Sequence, residues 1–221
     1  MNILGIDCSG SVLSVSLKSG ERLFESSIHD GFRHSENLMV QIDHLFKLAG
    51  LNSKNLDLIA VAAGPGSFTG LRIAMSTAKG IAVGSKADLI SISTLDLYAS
   101  FYRDFDGAVV PLVDAKKKRF YASIYHKGMK DSTELDVTAE ALLERLQKEE
   151  KILFTGPDSI FFQEYAEKDS RIIIDFHFPS VTSTSLIEMG ITKWQKNGPD
   201  PHGSGPVYIR KSEAEISMFG E

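Results

Sequence analysis

Residues 2–20 read NILGIDCSGSVLSVSLKSG, and residues 108–128 read AVVPLVDAKKKRFYASIYHKG. Both stretches are an apolar run that ends in an aspartate, Asp7 or Asp114, followed by a short polar turn and a second apolar run. In residues 13–17 apolar and polar side chains alternate, which is typical of a strand with one face in a core. Each stretch predicts a β-hairpin, and its recurrence after about half of the chain predicts two related lobes.

The segments between and after the hairpins alternate between helical and strand-like patterns. Residues 56–62 form a near-continuous apolar run of the kind found in a strand buried on both faces. Hairpins, strands and helices in mixed order favour α/β lobes with mixed sheets over a purely parallel sheet. We place the first lobe at residues 1–104 and a smaller second lobe at residues 105–221, with the last segment returning to the first lobe. Residues 207–215 are expected to form a short extended piece.

The composition is that of an ordinary globular protein. Hydrophobic residues make up 43% of the 221 residues, charged residues make up 24%, and the formal net charge is -5. This acidic balance argues against a chain that grips nucleic acid over its whole surface. The single cysteine, Cys8, argues against a disulfide framework and a cysteine-based zinc site. No apolar stretch approaches the roughly 20 residues needed to span a bilayer, and we expect a cytoplasmic protein.

Residues 62–72, AAGPGSFTGLR, form a glycine-rich loop between the buried strand and a helix. A phosphate-binding Walker loop requires a lysine directly after its second glycine, but Gly70 is followed by leucine. A dinucleotide fingerprint requires a third glycine where Thr69 stands. Two interpretations remain: a weak anion site at the helix N-terminus, or a place where two stretches of backbone come close together. We favour the second interpretation, because the helix that follows carries rows of small residues, which let another stretch of backbone approach closely.

Two helices are predicted at residues 35–49 and 70–84. In the first helix, Ser35 suits the N-cap and Gly50 suits the end. The second helix is apolar almost all round and carries two rows of small residues four apart, Ala74, Ala78 and Ala82 and then Ser76, Gly80 and Gly84. Such a helix has to be covered on several sides, either by a sheet and a neighbouring helix or by a second polypeptide. We expect both helices to contribute to a partner surface, through Leu38, Ile42, Leu45, Phe46, Ala74, Ala78 and Ile81.

Five short motifs carry a resemblance to a known family. They are GPGSFTGLR (64–72), AKG (78–80), LGIDCS (4–9), HSENL (34–38) and PVYIR (206–210). Taken together they resemble the TsaB (YeaZ) family, the non-catalytic subunit of the bacterial machinery that places threonylcarbamoyl on adenosine 37 of certain tRNAs. The resemblance extends over nearly the whole chain. The sequence departs from the family at Cys8, where threonine is frequent, and at Lys116 and Lys117, where arginines are common.

This resemblance implies a two-lobed actin-like, sugar-kinase-like (ASKHA) fold in which each lobe opens with a β-hairpin. It also implies that the two helices pair with the equivalent helices of the catalytic sister subunit TsaD, or with a second copy in a homodimer when the chain is alone. The small ATPase TsaE would complete the complex, and tRNA would be reached indirectly through it. The alternative is a different class: an actin-like small-molecule kinase or a peptidase of the same superfamily.

The aspartate that ends the first strand organises metal and phosphate in kinases and ATPases of this lobe plan. The corresponding candidates for weak nucleotide binding here are Asp7, Ser9, Gly64 and Gly66, with ATP or ADP at the junction of the complex and no other cofactor. Asp114 is expected only to cap its turn. No two of the six histidines are three or four residues apart, so we expect no metal site of the helical His-pair type and no catalytic residue.

The basic run of residues 116–119, KKKR, follows Asp114 in the second hairpin. A charged turn surrounded by water is the commoner explanation of such a run. The alternative is a contact with tRNA phosphates, although four basic residues alone bind RNA weakly at physiological salt.

Overall fold

The computed structural model describes residues 1–31 and 33–210. The chain divides into two compact units. Unit 1 combines two separate segments, Met1–Phe101 and His177–Pro206. Unit 2 consists of Tyr102–Phe176 and, among the described residues, 207–210. The chain therefore leaves unit 1, forms most of unit 2, returns to unit 1 at His177, and enters unit 2 again at Val207.

The described residues contain twelve strands and six α-helices. The strands are β1 Asn2–Asp7, β2 Leu13–Ser19, β3 Arg22–Ile28, β4 Leu58–Gly64, β5 Asp88–Ser93, β6 Ala108–Asp114, β7 Arg119–Ala122, β8 Tyr125–His126, β9 Met129–Lys130, β10 Leu135–Thr138, β11 Ile152–Thr155 and β12 Ile172–Ile174. The helices are α1 His34–Ala49, α2 Phe68–Ser85, α3 Thr94–Ala99, α4 Ala139–Arg145, α5 Gln163–Ala166 and α6 Ser183–Asn197.

Unit 1 is built on a five-stranded mixed sheet with the strand order β3-β2-β1-β4-β5. β1, β2 and β3 are antiparallel neighbours, whereas β4 and β5 continue the sheet from β1 in parallel. The β1–β2 hairpin pairs Asp7 with Ser14. The first predicted hairpin and the predicted mixed sheet are confirmed.

The two faces of this sheet are covered by different helices, because successive side chains of a strand point to opposite sides. Leu13, Val15 and Leu17 of β2 lie in the core that includes α1 and α2. Ser14 and Ser16 point to the other face, where both hydroxyls lie within hydrogen-bond distance of the Ser183 hydroxyl at the start of α6. α6, which belongs to the returning segment, packs on β1, β2, β4 and β5.

Unit 2 contains a seven-stranded sheet whose main path is β10-β7-β6-β11-β12, with β8 paired to β6 and to β9. β6, β7 and β10 are antiparallel neighbours, and β11 and β12 follow β6 in parallel. This order repeats that of unit 1 strand by strand, with the β8–β9 hairpin as an addition. The repeat seen in the sequence is therefore a structural repeat. Of the extended piece expected at 207–215, everything after Arg210 lies outside the described residues.

Helix ends show where local sequence rules succeed and fail. α1 ends at Gly50, which adopts φ 70° and caps the helix as predicted. The expected N-cap at Ser35 is wrong, because the helix begins one residue earlier, at His34, whose buried ring nitrogen lies 2.9 Å from the Gly10 carbonyl. α2 has 18 residues, yet neither it nor another helix in the described part of the chain is long and apolar enough to cross a membrane.

Candidate functional site

The glycine-rich loop before α2 is a point of close backbone contact with the first hairpin. Ser67 is the N-cap of α2: its hydroxyl accepts a hydrogen bond from the Gly70 amide at 3.2 Å, and its own amide donates to the Ser9 carbonyl at 2.7 Å. A Cβ atom on Gly66 would lie 2.4 Å from the Ser9 oxygen, and one on Gly70 would lie 2.1 Å from the Cys8 oxygen. A close-packed interior has no room for such atoms, so glycine is required here for packing.

The candidate nucleotide-binding residues lie near the C-terminal end of β1. Asp7 is only 3% exposed; one carboxylate oxygen accepts a hydrogen bond from the Ser9 amide at 2.8 Å, and the other accepts one from the Thr182 hydroxyl at 2.5 Å. Gly66 packs on Ser9, and Gly64 ends the neighbouring strand β4. The structure thus brings Asp7, Ser9 and Gly66 together. Both Asp7 oxygens are satisfied from within unit 1, and nucleotide binding by this group stays a prediction.

Cys8 is a buried, uncharged group. Desolvation by burial, together with the neighbouring charge of Asp7, raises the pKa of its thiol far above the usual range. A thiol that stays protonated is a poor nucleophile, so Cys8 acts as a small apolar side chain in the core of unit 1. Among residues 1–31 and 33–210, no three His, Cys, Asp or Glu side chains are grouped closely enough to hold a metal ion.

A hydroxyl cluster that was not predicted joins the first hairpin to α6. The Ser14 hydroxyl accepts hydrogen bonds from the backbone amides of Thr182 and Ser183, both at 3.1 Å. The Ser183 hydroxyl lies 2.6 Å from that of Ser16. Thr182, the residue before α6, makes no capping hydrogen bond with its own side chain, so Ser14 of β2 supplies the cap. The serines that alternate along β2 are the sequence feature that could have indicated this contact. Their partner could not be identified from the sequence, because it lies more than 160 residues further along the chain.

The partner-facing residues chosen from the sequence require a correction. Leu38, Ile42, Leu45, Phe46, Ala74 and Ala78 are buried within unit 1, and only Ile81 is partly exposed. A side chain enclosed by its own unit leaves no surface for a second chain. The physical reason is that the row of Ala74 and Ala78 packs toward the sheet, whereas Ser76, Gly80 and Gly84 lie on the opposite side of α2 and are exposed.

An exposed apolar surface nevertheless remains on these two helices. We call it the outward face and define it by exposed residues of both helices: Met39, Val40, Ser76, Gly80, Val83 and Gly84. Met39 is 53% exposed, Val40 is 60% exposed and Val83 is 83% exposed. A Cβ atom added to Gly80 or Gly84 would meet nothing within 4 Å. The outward face thus presents three large apolar side chains and, along α2, small residues that leave room for close approach.

The second hairpin turn, residues 115–118, differs from the first in exposure and charge. Asp114 caps it as expected, because its carboxylate accepts a hydrogen bond from the Lys116 amide at 2.7 Å. The Asp114 amide in turn donates to the Asp158 carboxylate at 2.8 Å. Burial raises the pKa of Asp158, and the nearby charge of Asp114 acts in the same direction. Lys116, Lys117 and Lys118 are all exposed.

The fold defines the class of protein. Two mixed sheets of the same strand order, each opening with a β-hairpin, make an actin-like α/β protein of the kind that also includes sugar kinases. YeaZ from Pseudomonas aeruginosa has the same fold, with a TM-score of 0.73, 20% identity, and coverage of 94% of this chain and 99% of that one. The activator of the 2-hydroxyisocaproyl-CoA dehydratase from Clostridium difficile is more distant, with a TM-score of 0.54, 12% identity, and coverage of 89% and 96%.

Sequence comparisons narrow the class to a family. The family model described as TsaD, tRNA N6-adenosine threonylcarbamoyltransferase, matches residues 31–196. The tRNA threonylcarbamoyladenosine biosynthesis protein TsaB of Bacillus subtilis (strain 168) is 28% identical, with coverage of 99% of this chain and 98% of that protein. TsaB of Buchnera aphidicola subsp. Acyrthosiphon pisum (strain APS) is 30% identical, with 68% of each protein covered. The chain belongs to the TsaB (YeaZ) branch of the family that the TsaD model describes.

Proposed function

We propose that this chain is a non-catalytic scaffold subunit for the formation of N6-threonylcarbamoyladenosine at position 37 of tRNA. Its relatives are named as tRNA threonylcarbamoyladenosine biosynthesis proteins, and the matching family model is named for a threonylcarbamoyltransferase. The observation that carries the scaffold role is the outward face of α1 and α2, an apolar surface that unit 1 leaves uncovered. Such surfaces on soluble proteins mark interaction sites.

The partner that this face fits best is TsaD. The TsaD family model spans both α1 and α2 of this chain, so the catalytic protein carries helices of corresponding position. Two related helix pairs can pack against each other about an approximate two-fold axis, as in isologous dimers. Without TsaD, a second copy of the chain presents the same face, and the homodimer results. The small residues Ser76 and Gly80 let the facing helices approach closely.

The internal contacts of unit 1 support a role without chemistry of its own. Both carboxylate oxygens of Asp7 accept hydrogen bonds from within the unit, and Cys8 is held as a neutral thiol. A scaffold contributes by binding one conformation of its partner more tightly than another. In this proposal the complex works in the cytoplasm, TsaE supplies ATPase activity, and tRNA reaches this chain through the complex. Any ATP or ADP binds weakly, near Asp7, Ser9, Gly64 and Gly66 at the junction.

A Gly80→Arg variant tests the docking face. Gly80 is exposed on a helix, where arginine has the higher helix propensity, so the isolated chain should remain folded. The long charged side chain would separate the facing helices, and we expect affinity for TsaD to fall by about 100-fold or more. Titration calorimetry with purified TsaD measures this, and a reconstituted tRNA modification assay should lose activity in proportion.

Gln195→Arg on the exposed side of α6 is the matched control, and it should leave both readouts unchanged. Wild-type affinity of the Gly80→Arg variant for TsaD would show that the face is not the docking surface. Turnover of ATP by the isolated wild-type chain would contradict the non-catalytic role and favour a small-molecule kinase.

A further inference from the structure

The β6–β7 turn presents three consecutive lysines in an uncommon backbone conformation. Lys116, Lys117 and Lys118 have φ values of 61°, 55° and 59°. This left-handed region is disfavoured for residues that carry a Cβ atom, and runs of several such residues are rare. Glycine or asparagine would adopt it with less strain. The chain therefore holds lysines at positions where their backbone is unfavourable.

The corresponding turn of unit 1 shows that the topology does not impose this conformation. It connects β1 to β2 at the equivalent place in the sheet and runs from Cys8 to Val12. Within the described chain, positive φ values are absent from that turn. Strained backbone conformations are concentrated at functional segments of proteins, and here the turn of unit 1 shows that an unstrained conformation is possible.

The charges at the base of the second turn are paired within unit 2. The Lys116 ammonium lies 2.7 Å from a carboxylate oxygen of Asp114. Asp136 binds Arg119 at 2.7 Å and Arg210 at 2.7 Å. These contacts pair charges at both ends of the turn.

Lys117 and Lys118 occupy the two positions that follow Lys116 in the exposed turn. Glu140, at the start of α4, lies within electrostatic range of Lys118. The chain as a whole carries a formal net charge of -5, whereas Lys117 and Lys118 place two exposed ammonium groups side by side on one turn. Lysine binds phosphate as a point charge without demanding a fixed geometry.

We propose that Lys117 and Lys118 contact the phosphate backbone of the tRNA substrate and orient it on the complex. This inference rests on the proposed function and adds a direct RNA contact to it. An exposed hairpin tip favours an extended polyanion, since a small nucleotide binds tightly only where a concave site surrounds it. Two contacts of this kind position the RNA and carry no sequence information.

The test uses the reconstituted complex with TsaD and TsaE, and the tRNA affinity is measured against salt concentration. A Lys117→Asn/Lys118→Asn variant removes the charge and suits the left-handed backbone, so it should fold at least as well as the wild type. We expect tRNA binding roughly tenfold weaker near 0.1 M salt and a salt slope smaller by about 2, because each phosphate contact contributes about 1. The KM for tRNA should rise with kcat unchanged.

Two further variants separate charge from structure. Lys117→Arg/Lys118→Arg keeps the charge and should retain the wild-type affinity and salt slope. Lys148→Gln/Lys168→Gln removes two exposed lysines elsewhere in unit 2 and should also leave both unchanged. An unaltered salt slope in the asparagine variant, or an equal loss in the Lys148/Lys168 control, would overturn the inference.

A third arm distinguishes RNA from a free nucleotide. Binding of ATP with magnesium to the complex is measured by calorimetry for the wild type and the asparagine variant. Equal ATP affinity supports an RNA contact, whereas loss of ATP affinity with unchanged tRNA affinity assigns the lysines to a nucleotide and overturns it. If the wild-type chain is dispensable for modification, the proposed function itself fails. If the wild type is required and the asparagine variant matches it in every readout, only this inference fails.

Discussion

The two hairpin turns of this protein occupy equivalent positions in two equivalent sheets, yet they are used in opposite ways. The first turn, residues 8–12, is packed beneath α2, with the backbone of Cys8 and Ser9 against Gly66 and Gly70. The second turn is exposed and basic at residues 116–118. The two units differ in the helix after the central parallel strand: α2 of unit 1 has 18 residues, whereas α5 of unit 2 has four. The repeated topology determines where each turn lies in its sheet. The length of the helix that follows the central parallel strand determines whether the turn is buried.

The largest expected effect tests the buried turn. Replacing Gly70 with alanine would place Cβ 2.1 Å from the Cys8 oxygen, so backbone has to move. We expect Gly70→Ala to lower the free energy of unfolding by about 3 kcal/mol or more, as forced overpacking of a rigid core does. Urea unfolding followed by circular dichroism measures this.

Gly80→Ala is the matched control on the same helix. Its Cβ would meet nothing within 4 Å, and alanine should stabilise the helix by up to about 1 kcal/mol. Similar free energies of unfolding for the two variants would contradict the claim that Gly70 lies on a buried side of α2 and Gly80 on an exposed side.

The second prediction concerns how the first hairpin is fixed from the opposite face of the sheet. Ser14→Ala removes the acceptor for two backbone amides at the start of α6 and leaves both donors buried. We expect a loss of about 1–2 kcal/mol in the free energy of unfolding, the usual cost of a lost N-cap. In unit 2 the residue paired with Asp114 is Phe120, which has no hydroxyl to offer.

Ser27→Ala, on the exposed edge strand β3, serves as the control and should change stability by less than about 0.5 kcal/mol. If the two serine variants were equally stable, the hydroxyl cluster would have no role in holding α6.

The smallest effect concerns the β8–β9 hairpin of unit 2, which has no counterpart among the described strands of unit 1. His126 of β8 lies 3.0 Å from a carboxylate oxygen of Glu149 and 2.5 Å from one of Asp131. The hydrogen bond to Glu149 is the main cause that raises the pKa of His126, and Asp131 adds to it. Stability from a raised histidine pKa is fully present below the unfolded-state pKa of about 6.5 and is lost as pH rises through the folded-state pKa.

His126→Gln should therefore cost a few tenths of a kcal/mol at about pH 5.5 and nothing at about pH 9, since these groups are partly exposed. The measurement is the difference in urea-unfolding free energy between wild type and variant at both pH values. Glu149→Gln should reduce this difference. A difference that grows with pH would contradict the assignment of the ion pairs.

The hairpins, the mixed sheets and the end of α1 could be predicted because they depend on neighbouring residues. The alternation of apolar residues at Leu13, Val15 and Leu17 identifies the buried face of a strand. Gly50 readily adopts the left-handed conformation that ends a helix. The close backbone approach at the glycine-rich loop could also be predicted, since spacing excluded the common phosphate loops. The structure locates that approach at Gly66 and Gly70.

The orientation of α2 could not be predicted in the same way. Its two small rows look alike in sequence, because alanine in one row and glycine or serine in the other are all compatible with burial. Only the position of the sheet reveals that Ala74 and Ala78 face inward and Gly80 faces outward. The hydrogen bonds from the start of α6 to Ser14 could not be predicted either, because they join residues that come together only when the chain returns to unit 1.

The return of residues 177–206 to unit 1 has a consequence for biosynthesis. A chain emerging from the ribosome exposes its N-terminal residues first, but the helix that covers the second face of the first sheet ends only at Asn197. The sheet that is synthesised first is therefore covered on its second face only after residues 102–176 of unit 2 have emerged. Until residues 183–197 have emerged, Gly5, Ser14 and Ser16 lack the helix that covers them in the folded protein.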